Sequence, residues 1–214
     1  MEKSFIKSLS FVIVGVVALS CLAQTESRQE VGLDDISPVK DLIERVLPGR
    51  SSEFVLEKMP GSGGGVFEVD SVDGKIVLRG DSAVSLASAF RKYLDDSGFQ
   101  VSWNGSNLPS AGEPLTRPAS KTVRSTTWKI RHYYNYCTLS YTMAFKDWSD
   151  WEREIDIMAM RGVNMALILP GHEKVWQNTL KRLGYSADDI AAFIPSSAHT
   201  AWWLMANVEG IDGR

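Results

Sequence analysis

The chain has 214 residues, 44% hydrophobic and 23% charged, with 7 Trp and a net charge of −3. This is the composition of a globular protein with room for one or two packed cores, and the absence of any basic run argues against nucleic acid as a partner. Tryptophan and tyrosine exceed what a core of this size needs, and the surplus suits stacking on flat ligands such as sugar rings as well as ordinary packing.

The first segment reads as an export signal at residues 1–23. Lys3 and Lys7 precede an apolar run, FVIVGVVAL, that is too short to span a bilayer and leads into small residues. Two processing routes fit: cleavage after Ala23, or lipid attachment at Cys21, where Val17-Ala18-Leu19-Ser20 forms a loose lipobox. Either leaves a protein addressed to the periplasm or cell surface. Once the signal is removed Cys137 is the only cysteine, so no intrachain disulfide is expected.

Residues 34–110 are expected to form a small α+β domain. SPVKDLIERVLPG predicts a helix capped by Ser37, with Pro38 in its first turn, an apolar stripe of Val39, Leu42, Ile43, Val46 and Leu47, and a stop at Pro48-Gly49. FVLEKM predicts a strand. VFEVDSVDGKIVLRG alternates about Asp73-Gly74 and predicts a hairpin. Asp81 or Ser82 caps a second helix with Val84, Leu86, Phe90, Tyr93 and Leu94 on its apolar side, and FQVSW with the Asn104-Gly105 turn closes the domain. Asn104-Gly105-Ser106 is also a glycosylation sequon, although the turn alone accounts for it. A linker rich in Pro, Ser, Gly and Thr is expected at 111–121.

Residues 122–214 change character. WKIRHYYNYCT predicts a strand ending on Asn135 and Cys137. Asp147 or Ser149 then starts a helix with Trp148, Trp151, Ile155 and Met158 on one face, and with Glu152, Glu154 and Asp156 expected to face water or to tie the helix to its neighbours. Gly162 suits a left-handed C-cap. VNMALIL is nearly continuous in apolar residues, as a strand covered on both faces would be. A loop carrying His172 and Glu173 follows, then a helix with Trp176, Leu180 and Leu183, then a Ser186–Asp189 capping box. Strand, helix, strand, helix is the start of a parallel α/β fold, in which chemistry gathers at the C-terminal strand ends. A (β/α)₈ barrel needs roughly 250 residues, so the second half is expected to hold only its opening units.

The residues alone make no complete catalytic set. No His-x-Glu-x-x-His or paired-cysteine motif occurs, His132, His172 and His199 are scattered, and GSGGG lacks the Lys-Ser/Thr of a phosphate loop. No metal or organic cofactor is indicated. Glu173 would need a second carboxylate to act in glycoside hydrolysis, and spacing places none.

The segments RHYYNYCTLSYT, DWSDWEREIDIMAMRGVNMALILPGHEKVW and AWWLMAN closely resemble the start of the catalytic domain of alpha-N-acetylglucosaminidases, glycoside hydrolase family 89. VLRGDSAVSLASAFRKYL with VSWNGSNLP resembles the small α/β domain preceding the barrel in that family. The resemblance implies a small α+β domain followed by the first units of a TIM-like barrel. It also implies an exo-acting, retaining hydrolase of glycans ending in α-linked N-acetylglucosamine. The two catalytic glutamates of the family fall beyond Arg214, so the segment alone is expected to be inactive. It places Asn135, Cys137 and Trp202 in the sugar site, with His172 and Glu173 in a loop where the family has Gly-Gln-Glu. The departures at His172, at Phe145-Lys146-Asp147-Trp148 and at Ser196 to Trp202 leave room for a different terminal sugar. A protein that binds glycans without hydrolysing them is the alternative from another class.

Overall fold

A computed structural model describes residues 35–61, 65–135, 138, 143, 145–167 and 171–193, and the following concerns these. From Ile36 onward they belong to one contact-connected unit. The first helix, α1 (Ser37–Val46), begins one residue earlier than its sequence suggests, with Ile36 rather than Ser37 in the cap position and Pro38 in the first turn. Val39, Leu42, Ile43 and, just beyond the helix, Leu47 are all buried.

Strands β1 (Phe54–Lys58), β2 (Phe67–Val72) and β3 (Lys75–Gly80) follow. The β2–β3 hairpin turns at Asp73 and Gly74, which both have positive φ (50° and 75°) and so match the sharp twist of a two-residue loop. β1 lies parallel to β3, and the order across the sheet is β1-β3-β2-β6, where β6 (Thr122–Arg124) adds antiparallel to β2. Alternation sends Val69, Ile76 and Leu78 into the core. On the other face Arg79 bridges its cross-strand neighbours Glu57 (2.5 Å) and Asp70 (3.2 Å).

Helix α2 (Ala83–Asp96) lies over the sheet. Ser82 caps it, accepting from the Ser85 amide, and Leu86, Phe90, Tyr93 and Leu94 are buried beneath it. Gly80 permits this close approach, since a Cβ there would come within 2.7 Å of the Leu86 amide. A short hairpin, β4 (Gln100–Ser102) and β5 (Gly105–Asn107), turns at Trp103-Asn104, one residue earlier than expected, with Gly105 opening β5. Residues 108–121 carry no regular element, yet Leu115 is in the core and Arg117 donates to the Gly74 and Leu115 carbonyls.

The second half opens with β7 (His132–Tyr133), α3 (Trp148–Met160) and β8 (Met165–Ala166), with β7 and β8 parallel. This is the first crossover of a partial TIM-like barrel, whose sheet is not closed. The strands are shorter than the apolar runs suggest. Tyr134 leaves β7 with φ 72°, and each strand has a single hydrogen-bonded neighbour among the described residues. Met165 is half exposed, so the expectation of a strand covered on both faces does not hold for it.

Asp147 caps α3 through a reciprocal capping box with Asp150. At the other end Gly162, with φ 78°, lets the Gly162 and Val163 amides reach the Ala159 and Met158 carbonyls. Helix α4 (His172–Arg182) starts directly after Gly171, so His172 and Glu173 lie in its first turn and not in a loop. Helix α5 (Ala187–Phe193) carries the Ser186–Asp189 capping box as expected.

The orientation of α3 differs from the sequence reading. Glu154 and Asp156 are buried, at 4% and 6% exposure, whereas Trp148 (69%) and Ile155 (45%) are exposed. The cause is the front domain, which covers the side of α3 that carries Ile157 and Met160 and draws both into its core. Met158 joins a second cluster with Tyr134 and Met143, bordered by Trp151. The carboxylates are tolerated inside because the surrounding segments supply donors.

This orientation predicts unequal costs for two isoleucines two positions apart. Ile157→Ala is expected to lower the unfolding free energy by about 2–5 kcal/mol, and Ile155→Ala by no more than about 0.5 kcal/mol, in urea titrations followed by circular dichroism.

Candidate functional site

The C-terminal ends of β7 and β8 are where a barrel of this kind places its chemistry. Asn164 aligns the two strands at their opposite ends: its Oδ1 accepts the Arg131 amide at 2.8 Å and its Nδ2 donates to the Lys129 carbonyl at 2.8 Å. That fixes the register in which the following residues emerge.

Tyr134 is the first residue beyond β7. Its left-handed backbone is a strained conformation for a bulky side chain, and it persists only where the surroundings impose it. The Tyr134 hydroxyl donates to Glu154 Oε2 at 2.6 Å, its ring meets Trp151 edge-on, and Tyr133 lies against it. Glu154 is the hub. Oε2 also accepts the indole Nε1–H of Trp103 at 2.6 Å, and Oε1 accepts Lys146 Nζ at 2.5 Å. Trp103 stacks on Tyr133 at 5.6 Å, and the Arg161 guanidinium lies over the Trp103 ring at 4.5 Å. Strand end, loop and front domain therefore meet on one carboxylate.

Burial alone would raise the Glu154 carboxyl, but the hydrogen bonds from Lys146, Tyr134 and Trp103 outweigh it and hold the group below the ordinary carboxylate range. Burial, together with donation to Glu154, pushes the Tyr134 hydroxyl far up, so it stays a donor at any physiological pH. A short distance along α3, Arg45 of α1 grips Asp156 with two hydrogen bonds of 2.7 Å, and that contact raises the Arg45 guanidinium.

Asn135 follows Tyr134 and is exposed. Its Oδ1 accepts both the amide and the hydroxyl of Thr138 at 3.0 Å, which orients the side chain. The Nδ2 donors have no partner among the described residues. Of the other site residues expected from sequence, Cys137 and Trp202 lie outside the described residues, as do the side chains of His172 and Glu173. The structure thus brings Asn135 to a strand end beside an aromatic cluster. Glu154 and Asp156 are fully engaged by cations and hydrogen-bond donors, which leaves neither available as a nucleophile or acid. Among the described residues no group of three or more His, Cys, Asp or Glu is placed to hold a metal ion.

Sequence reasoning gave no site role to Trp103, Tyr134 or Glu154 and met Lys146 only as a departure from the family pattern. A signal existed in the helix itself: Trp151, Glu154 and Met158 recur at i, i+3 and i+7, so Glu154 lies between two residues on one side of α3.

Comparison with known proteins follows the same two-part division. Residues 37–115 match the family model described as alpha-N-acetylglucosaminidase (NAGLU) N-terminal domain, and residues 131–214 match the NAGLU tim-barrel domain. The chain is 34% identical to human alpha-N-acetylglucosaminidase over 193 residues, covering 84% of this chain and 25% of that protein. It superposes on a family 89 glycoside hydrolase from Clostridium perfringens bound to PUGNAc, with a TM-score of 0.72 at 35% identity over 81% of this chain and 20% of that one. A second structure of the Clostridium perfringens enzyme, in complex with 2-acetamido-1,2-dideoxynojirmycin, matches at 37% identity with a TM-score of 0.71 and the same coverage. A third, with two glutamates changed to glutamine, holds its substrate GlcNAc-alpha-1,4-galactose and matches with a TM-score of 0.72. The chain spans about a quarter of the human relative and a fifth of the solved structures.

The Glu154 hub predicts a defined acid response. Its folded pKa lies below the ordinary 4.5, so its contribution to stability is complete above that value and is lost as pH falls through the lowered one. Glu154→Gln is expected to cost about 2–4 kcal/mol at pH 7 and to flatten the fall in stability below pH 5, measured by thermal unfolding across a pH series.

Proposed function

The chain belongs to the alpha-N-acetylglucosaminidase family, and from that premise we propose that it forms the N-terminal portion of an exo-acting, retaining glycosidase that removes terminal α-linked N-acetylglucosamine from glycans. The observation that carries this reading is the agreement of both halves, in order, with the two consecutive domains of the family, supported by the superposition on family 89 structures.

In this reading the front domain and α3 hold the strand end at which Asn135 stands, and the Asn135 Nδ2 donors meet a hydroxyl or acetamido oxygen of the terminal sugar. Cys137 and Trp202 complete the wall of the same site, the indole offering an apolar face to the pyranose ring, with His172 and Glu173 at its rim. Both catalytic glutamates come from sequence beyond Arg214. One serves as acid and base and the other as nucleophile, with carboxyl groups about 5–5.5 Å apart as retention requires. That chemistry needs no metal or organic cofactor. The complex of the Clostridium perfringens relative with GlcNAc-alpha-1,4-galactose supports a glycan bearing a terminal α-N-acetylglucosamine as the substrate class. The apolar run after Lys3 and Lys7 supports an exported protein, periplasmic or at the cell surface, with Cys21 as an attachment point for lipid or part of a cleaved signal.

The test is hydrolysis of an aryl α-N-acetylglucosaminide followed by proton NMR. The 214-residue chain is expected to release no product, while a polypeptide extended through the complete barrel releases N-acetylglucosamine first as the α-anomer. A β-anomer first product, or turnover by the 214 residues alone, contradicts the proposal. In the extended polypeptide Asn135→Ala is expected to reduce kcat/KM about tenfold, the equivalent of one neutral hydrogen bond.

A further inference from the structure

At the N-terminal end of β7, a groove of about 420 Å³ runs between α2, the end of β6 and the C-terminus of α3. Its described lining includes Arg91, Lys92, Arg124, Arg131 and Arg161, against one carboxylate, Asp95. A chain with a net charge of −3 thus gathers five cations in one place.

Those cations are compensated to different degrees. Arg91 pairs with Asp95 at 3.2 Å and Lys92 with Asp96 one turn further on. Arg131 donates to the Trp128 carbonyl at 2.7 Å and to the Gly162 carbonyl, so backbone dipoles hold it in place. Arg124 donates to the Val123 carbonyl at 3.0 Å, and Arg161 lies over Trp103. Among the described residues neither Arg124 nor Arg161 has a carboxylate within ion-pair distance. Arg161 is exposed, and its partial desolvation and the nearby Arg91 charge outweigh Asp95 and lower its pKa, which places it among crowded cations.

We propose that this groove binds a phosphate-type oxyanion, held by Arg124 and Arg161 with the Arg131 charge beside them. Guanidinium groups suit such a ligand because each presents a planar fork of donors to two oxygens. The Thr126 hydroxyl accepts the Trp128 amide at 3.2 Å, which leaves its own proton to donate from the groove wall. The volume exceeds that of a single ion, so the same chemistry admits a free phosphate or a phosphate monoester of a sugar.

Isothermal titration of the purified protein at low ionic strength, with inorganic phosphate in one arm and glucose 6-phosphate in the other, tests this. Saturable one-site binding is expected in at least one arm, weakened about fivefold or more by Arg124→Gln and by Arg161→Gln, and unchanged by Lys40→Gln, a cation on α1 outside the groove. Tighter binding of glucose 6-phosphate identifies a phosphorylated saccharide as the ligand, and tighter binding of inorganic phosphate identifies the free ion. Arg124 and Arg161 are both exposed, so both variants are expected to fold and report on binding. No saturable binding in either arm, or equal weakening by Lys40→Gln and Arg124→Gln, overturns the proposal.

Discussion

One carboxylate governs how the two halves of this chain meet. Glu154 is buried on α3 and receives hydrogen bonds from Trp103 of the front domain, Tyr134 at the end of β7 and Lys146 before the helix. A buried charge is costly unless its oxygens are satisfied, and removal of one partner leaves the penalty behind. The three segments are therefore constrained together: each donor has a defined place only if the other two are present. Asp156 adds a second tie through Arg45 of α1. Between these polar ties, Ile157 and Met160 enter the front domain's core. Here α3 serves two structures at once, as the first helix of a barrel and as part of the wall of the domain before it.

That arrangement bears on the candidate site through backbone geometry. Tyr134 adopts a positive φ that its bulk disfavours, and its hydroxyl is fixed by Glu154. The next residue, Asn135, takes its direction from that bend. Asn135, the proposed sugar-binding group, is thereby held at a strand end by a residue buried beneath it and by a domain that precedes the barrel in sequence. In the proposed glycosidase this gives the front domain a concrete task, which is to hold the first strand end in the shape that recognition needs.

Much of the architecture was legible in the sequence because it rests on local rules. The Asp73-Gly74 hairpin, the helix start at Asp147, the capping box at Ser186, the left-handed Gly162 and the apolar stripe of α2 each follow from a few adjacent residues. What the sequence did not show depends on partners distant along the chain. Periodicity assigned Glu154 and Asp156 to water because acidic residues on an amphipathic helix usually face it. Their donors stand 51 and 111 positions away at Trp103 and Arg45, and no local pattern announces them. The same limit applies to β7, where a run of β-forming residues promised a longer strand and the bend at Tyr134 ended it. For the site, the family motif led to Asn135, but its orientation by Thr138 and the aromatic hub below it required coordinates.

Glu154 is expected to join the front domain to the first barrel strand energetically as well as geometrically. A double-mutant cycle between Trp103→Phe and Tyr134→Phe, read by urea unfolding, measures that link, because the two side chains bond the same carboxylate oxygen from different halves of the chain. A coupling energy of about 1 kcal/mol or more is expected. Additive losses, equal within about 0.3 kcal/mol, would contradict it.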